Sequence, residues 1–99
     1  MKDEIMAIAK DIADKTADLL KEDKHFGEAS FDWYGGDYIE FYLCIKEIPN
    51  YRYVCKNVPF KDLEKDIPNI LVEKWNKEVT EDGITGVKNF IDYVRGFTS

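Results

Sequence analysis

The hydrophobic residues of this chain change their period twice, and these changes divide its 99 residues into three zones. Apolar residues recur every three or four positions up to about residue 20, alternate with polar ones from Phe26 to Val58, and return to the first spacing after Pro59. The first spacing is typical of an amphipathic helix, and the second of a strand with one buried face. We therefore expect a single α+β domain spanning residues 1–99, in the order helix, three strands and two helices.

Three stretches carry the helical spacing, and each is expected to form a helix with one buried side. The first apolar stripe consists of Ile5, Ile8, Ala9, Ile12, Ala13, Thr16, Leu19 and Leu20. The second consists of Leu63, Ile67, Ile70, Leu71, Trp75 and Val79. Pro68 suits the first turn of this second helix, which is expected to be capped near Asp66. The third helix is expected from about Ile84 to Arg95, ending before Gly96.

The middle zone predicts an antiparallel meander of three strands. Burial of one face favours a three-residue loop, 35–37, between the first two strands, because a two-residue turn would set their apolar residues on opposite faces. The longer loop pairs Phe31 with Phe41. It also brings Trp33 opposite Ile39.

A second turn is expected at residues 48–51, because Pro49 presets a turn dihedral and Asn50 tolerates a left-handed backbone. The third strand follows from Arg52 to Val58. One face of the sheet is expected to lie under a single layer of helices, with Trp75 in the core between them. This face carries Phe31, Phe41, Leu43 and Ile45.

The balance of charge limits the kinds of partner. Twenty acidic residues against fourteen basic ones give a formal net charge of -6, and phosphate binding requires a basic face. Direct binding of nucleic acid is therefore not expected. No apolar run approaches the length of a membrane span, and the charged start Met1-Lys2-Asp3-Glu4 differs from a secretory leader. These features predict a soluble, cytoplasmic protein that does not bind membranes.

The sequence offers few groups for catalysis or metal binding. Cys44 and Cys55 have only His25 as a possible further ligand, whereas a structural zinc site needs about four ligands. One register of the second hairpin sets the two thiols opposite each other, which leaves a disulfide open, although free thiols are expected in a reducing compartment. His25, at the end of the first helix, is expected to be solvated or to cap that helix. We predict a non-enzyme with no metal and no cofactor.

Tyrosines are concentrated on the predicted strands. Tyr38 and Tyr42 fall on the face opposite the apolar series. Packing against the ends of a helix is one interpretation of these rings. A partner-binding surface is the other, since tyrosine is favoured at protein interfaces.

An acidic corner lies between the last two predicted helices, in the stretch EKWNKEVTEDG. Thr80 or Asp82 can cap the last helix, and acids in its first turn are favoured by the helix dipole. A cap needs only one acid, however, and the corner supplies Glu78, Glu81 and Asp82 within five residues. These three acids are the candidate partner-binding residues.

The same corner resembles a known family. Trp75-Asn76, followed by Glu78 and then Glu81-Asp82, is similar to the segment leading into the last helix of a small acidic phage-encoded anti-CRISPR family, which inhibits the type II RNA-guided nuclease. Tyr53-Val54 in the third strand is similar as well. The resemblance runs from about residue 37 to residue 93, and the family has the same order of helix, three strands and two helices.

The resemblance implies an inhibitor. Members of that family present carboxylates to the site where arginines of the nuclease read the protospacer-adjacent motif, and so block binding of target DNA. On this resemblance Glu81 and Asp82 would mimic DNA, with Glu78 beside them. The alternative is an immunity or antitoxin-like protein that covers a basic nuclease toxin. A third possibility, a small enzyme or ligand-binding domain, would need a concave pocket with converging polar groups.

Overall fold

The hydrophobic pattern predicts the order of elements correctly. A computed structural model describes residues 2–98 of the protein. Its elements are α1 (Lys2–Leu19), β1 (Phe26–Asp32), β2 (Tyr38–Ile45), β3 (Arg52–Pro59), α2 (Ile67–Glu78) and α3 (Glu81–Thr98). One turn of 3-10 helix, Phe60–Asp62, lies between β3 and α2. The α+β class is therefore confirmed.

The three strands form one antiparallel sheet in the order β1-β2-β3. Phe31 lies opposite Phe41, as predicted from one-sided burial. The β1-β2 pairing ends one residue later, so the expected pair of Trp33 and Ile39 is not part of the sheet. Trp33 lies in the loop instead, where its indole N–H donates a hydrogen bond to the carbonyl oxygen of Gly36 at 2.7 Å.

The second hairpin departs from simple alternation. Asn50 adopts the predicted left-handed backbone, with φ of 72°. Cys55 lies opposite Tyr42, and after a register shift between Leu43 and Cys44 the latter lies opposite Arg52. Cys44 is buried, Cys55 is exposed, and both are free thiols. The pairing of Cys55 with Tyr42 excludes the register in which a cross-strand disulfide was open.

The core lies between one face of the sheet and the helices α1 and α2. Its central strand buries Ile39, Phe41, Leu43 and Ile45. Trp75 of α2 is 1% exposed, which confirms its assignment to the core. Its ring meets Phe26 edge to face, with centroids 5.6 Å apart. The indole N–H keeps a polar partner in the Asp23 carboxylate at 3.1 Å, as a buried tryptophan requires.

The last helix differs most from its predicted bounds. It begins three residues earlier than expected and continues through Gly96 to Thr98. A glycine costs about 1 kcal/mol in a helix interior, and this cost does not end α3. Ile84 in its first turns is buried in the core. Within residues 2–98, no helix has the length and apolar character that suit a bilayer crossing.

Candidate functional site

The acidic corner is a tight junction between α2 and α3. The hydroxyl of Thr80 accepts a hydrogen bond from the Gly83 N–H at 3.0 Å. The carbonyl of Thr80 accepts one from the Ile84 N–H at 2.9 Å. Of the two residues that were able to cap α3, Thr80 is the one that does so. The neighbouring acids are therefore not needed as the cap.

Glu81 is held by Lys24 and His25, which lie in the connection between α1 and β1. Its carboxylate lies 2.7 Å from the ammonium of Lys24 and 2.8 Å from Nε2 of His25. The hydrogen bond from Lys24, followed by that from His25, lowers the pKa of Glu81 to about 2. Glu81 is thus ionised at neutral pH, and it already has partners within the chain.

His25 lies between two carboxylates. Its Nδ1 is 2.5 Å from Glu47, and its Nε2 faces Glu81. A neutral imidazole has one N–H, whereas both nitrogens here face acceptors, so the protonated ring fits the site. The hydrogen bond to Glu81 is the main cause that raises the pKa of His25. This role differs from the solvated or helix-capping one expected from the sequence.

The other two acids of the corner differ from Glu81. Glu78 pairs with Lys74 one turn earlier on α2, at 2.9 Å. Asp82 is exposed and forms no ion pair or side-chain hydrogen bond with the residues described. The fold thus brings all three predicted acids to one junction, where two are paired and Asp82 is available to a partner.

A second polar surface lies on the sheet face opposite the core, which we term the open sheet face. The guanidinium of Arg52 lies 3.9 Å from the ring centre of Tyr42. It also bonds the carboxylates of Asp32 at 2.5 Å and Glu40 at 2.7 Å. Tyr34 accepts a further hydrogen bond from it at 3.2 Å. Tyr42 is therefore covered by an arginine and not by the end of a helix.

The sequence pattern indicated the tyrosines of the open sheet face but missed the ion network around them. Arg52 reaches across β2 to Asp32, twenty residues earlier in the chain. Such a contact depends on the register of both hairpins. The alternation on β2 placed Glu40 on the same face as Tyr42. It was the one sequence signal that pointed to the ion network.

Two clefts on the described surface bear on the ligand-binding alternative. One of about 270 Å³ lies at the β1-β2 end of the sheet, lined by Gly27, Glu28, Cys44, Ile45, Lys46, Pro49 and Asn50. One of about 360 Å³ follows α2 and is lined by Lys56, Ile70, Glu73, Lys74, Lys77 and Glu78. Typical ligand pockets hold about 300–1,000 Å³ and are mostly apolar. The smaller cleft falls below that range, and the larger one has mainly charged walls.

No cluster of three or more His, Cys, Asp or Glu side chains within residues 2–98 is arranged to hold a metal ion. Comparisons of the chain with protein-family models, with curated proteins and with solved structures give no match. The site is therefore interpreted from its own geometry.

Proposed function

We propose that the protein is a non-catalytic inhibitor that binds a basic nucleic-acid-binding protein and blocks its DNA site. The first target to test is the type II RNA-guided nuclease, in the cytoplasm of a bacterial host. The observation that carries the proposal is Asp82, an exposed carboxylate without a partner in the described chain, next to Glu81, whose lowered pKa keeps it ionised at neutral pH. The resemblance of this corner to the anti-CRISPR family supports the choice of target.

The corner offers a chemical match to an arginine-lined DNA site. Arginine forks bind carboxylates in much the same geometry as they bind phosphates and guanine edges. The pair of Glu81 with Lys24 is largely exposed to solvent and that of Glu78 with Lys74 is partly exposed, and solvent-exposed pairs contribute little to stability. A partner guanidinium can therefore replace these lysines at small cost. The net charge of -6 also favours encounter with a basic surface.

The test is cleavage of target DNA by the guide-loaded nuclease with increasing amounts of inhibitor. Asp82→Asn removes a charge without removing a described contact, and Glu81→Gln/Asp82→Asn removes both acids. We expect each to weaken inhibition, and the double variant to weaken it at least tenfold. Glu4→Gln/Asp14→Asn on α1 changes the net charge equally and serves as the matched control.

Binding through the corner should also weaken as salt rises, because attraction between opposite charges is screened. Equal potency of the parent and the double corner variant would contradict the proposal. So would an equal loss in the α1 control, since it would assign the effect to net charge alone.

An immunity or antitoxin-like role is the second candidate, and the open sheet face favours it. This face presents the exposed ring of Tyr34, whose hydroxyl is bonded by Arg52, and the exposed carboxylate of Glu28. Tyrosines and acids together suit a partner surface that is basic and partly apolar. A toxin-directed role predicts binding to a nuclease without guide RNA, weakened by Tyr34→Ala and unaffected by Asp82→Asn.

A further inference from the structure

The last turns of α3 expose a run of apolar side chains. Phe90, Tyr93, Val94 and Phe97 follow the spacing i, i+3, i+4, i+7 and share one side of the helix. The three aromatic residues keep 66%, 65% and 71% of their surface exposed. Tyr93 and Phe97 already pack edge to face, with ring centroids 4.8 Å apart. We term these four residues the aromatic stripe.

The charges of α3 lie away from this stripe. At 100° per residue, Lys88, Asp92 and Arg95 fall on the opposite side of the helix. There they line a shallow cleft against residues 47–49. A partner recognised by its basic charge therefore fits the acidic corner and does not fit the aromatic stripe. A membrane surface is also a poor match, because helices that bind it have a polar face rich in Lys and Arg.

The three exposed rings supply about half of the area that a specific protein interface buries. An aromatic side chain can bury about 150–250 Å², so the three rings leave roughly 300–500 Å² available on each copy at their observed exposure. Two copies together would bury roughly 600–1,000 Å² from these rings alone, and specific interfaces bury about 1,200–2,000 Å² in total. Val94 and the backbone near Gly86, which is open to solvent, add to this area.

We propose that α3 forms the interface of a symmetric homodimer, in which the aromatic stripes of two copies pack on each other. An uncharged apolar face is complementary to itself, as a twofold interface requires. The dimer would leave the charged side of each α3 and the acidic corner outside the contact. This inference does not depend on the proposed function, since it concerns a different surface.

Sedimentation equilibrium of the full chain tests this inference. The parent should pass from the mass of one copy to that of two between low micromolar and high micromolar concentration. Phe90→Ser/Phe97→Ser should raise the dissociation constant at least tenfold. Leu19→Ser, which removes a 52% exposed side chain from α1, should behave like the parent. Added salt should strengthen association, because it screens repulsion between two copies of charge -6.

A second variant guards against loss of helix by the serines. Val94→Glu introduces a better helix former than valine and sets like charges against each other across the contact, so it should also give a monomer with unchanged circular dichroism. A parent that stays monomeric throughout the range overturns the inference. Phosphatidylcholine vesicles that bind a monomeric parent, and not the double serine variant, would also overturn it in favour of a membrane surface.

Discussion

The helices α2 and α3 carry apolar stripes of the same kind and use them differently. In α2 the stripe of Ile67, Leu71 and Trp75 is buried. Among the α3 residues whose burial the structure describes, Ile84 alone is buried, whereas Phe90, Tyr93, Val94 and Phe97 are left to solvent. An apolar helical face thus shows that a contact is favourable, but it does not show whether the contact lies within the chain or outside it.

The two helices are also held by different forces. Burial of its stripe fixes α2 along its length, from Ile67 to Trp75. The attachment of α3 is concentrated at its first turns, where Thr80 caps the helix and Glu81 meets Lys24 and His25. We therefore expect single substitutions to have large effects in α2, moderate ones at the start of α3, and small ones near its end.

The largest effect is expected at Trp75. Removing this fully buried side chain with Trp75→Ala should lower the free energy of unfolding by about 3–5 kcal/mol, through lost burial and the cavity that remains. It also leaves Asp23 without its indole donor. Urea denaturation followed by circular dichroism measures the change. An unchanged midpoint would show that α2 is no better anchored than the end of α3.

A moderate effect is expected at the cap of α3. Thr80→Ala removes the side-chain acceptor of the Gly83 N–H and should cost about 1 kcal/mol. Thr80→Ser keeps the hydroxyl and is the matched control. Urea denaturation of the two variants gives the difference. If alanine and serine are equally stable, the cap contributes nothing and the attachment of α3 rests on Ile84 and the ion pairs.

The contrast between α2 and α3 also marks the limit of sequence reasoning. Alternation fixes which side of a strand is buried, so it predicts the pair Phe31 and Phe41. The shift at Cys44 adds a residue to one strand and leaves no trace in that alternation. For α3 the spacing indicated an apolar side of the helix. That Phe90 lies outside the hydrophobic core is visible only in the folded structure.

The candidate site was predictable to the same degree. Composition and spacing identified three acids between two helices, and the structure brings them to one junction. Their charge partners were not predictable, because Lys24 and His25 lie more than fifty residues before Glu81. No local sequence pattern connects these groups, because they come into contact only when the residues before β1 pack next to the start of α3.

The His25 cluster makes the attachment of α3 depend on pH. The folded pKa of His25 is raised above 6.5, so its contribution to stability is fully present below about pH 6.5 and is lost as pH rises through the folded value. The pKa of Glu81 is lowered from 4.5 to about 2, so its contribution is present above about pH 4.5 and is lost as pH falls towards 2. Their combined contribution is greatest between these limits.

The variant His25→Gln isolates this contribution because glutamine does not titrate. The difference in unfolding free energy between parent and variant should shrink as pH rises above about 6.5 and through the raised folded pKa of His25. Urea denaturation at a series of pH values measures it, and the groups that face the ring are Glu47 and Glu81, with Lys24 beside Glu81. If that difference does not change with pH, the charge of His25 does not contribute to the attachment of α3.

The smallest effect on the folded monomer is expected at Phe97. Its ring is 71% exposed and touches Tyr93 alone among the aromatic residues described, so Phe97→Ser should change the unfolding free energy of dilute protein by no more than about 0.5 kcal/mol.

The same substitution should matter at high concentration, because a dimer that binds through folded α3 stabilises the folded state by mass action. The parent should then unfold at a higher temperature as concentration rises, and the Phe97→Ser variant should lose much of that dependence. Calorimetry of both proteins at two concentrations measures this. A large loss in the dilute protein would mean that the end of α3 packs within the chain as Trp75 does, which would remove the contrast between the two helices.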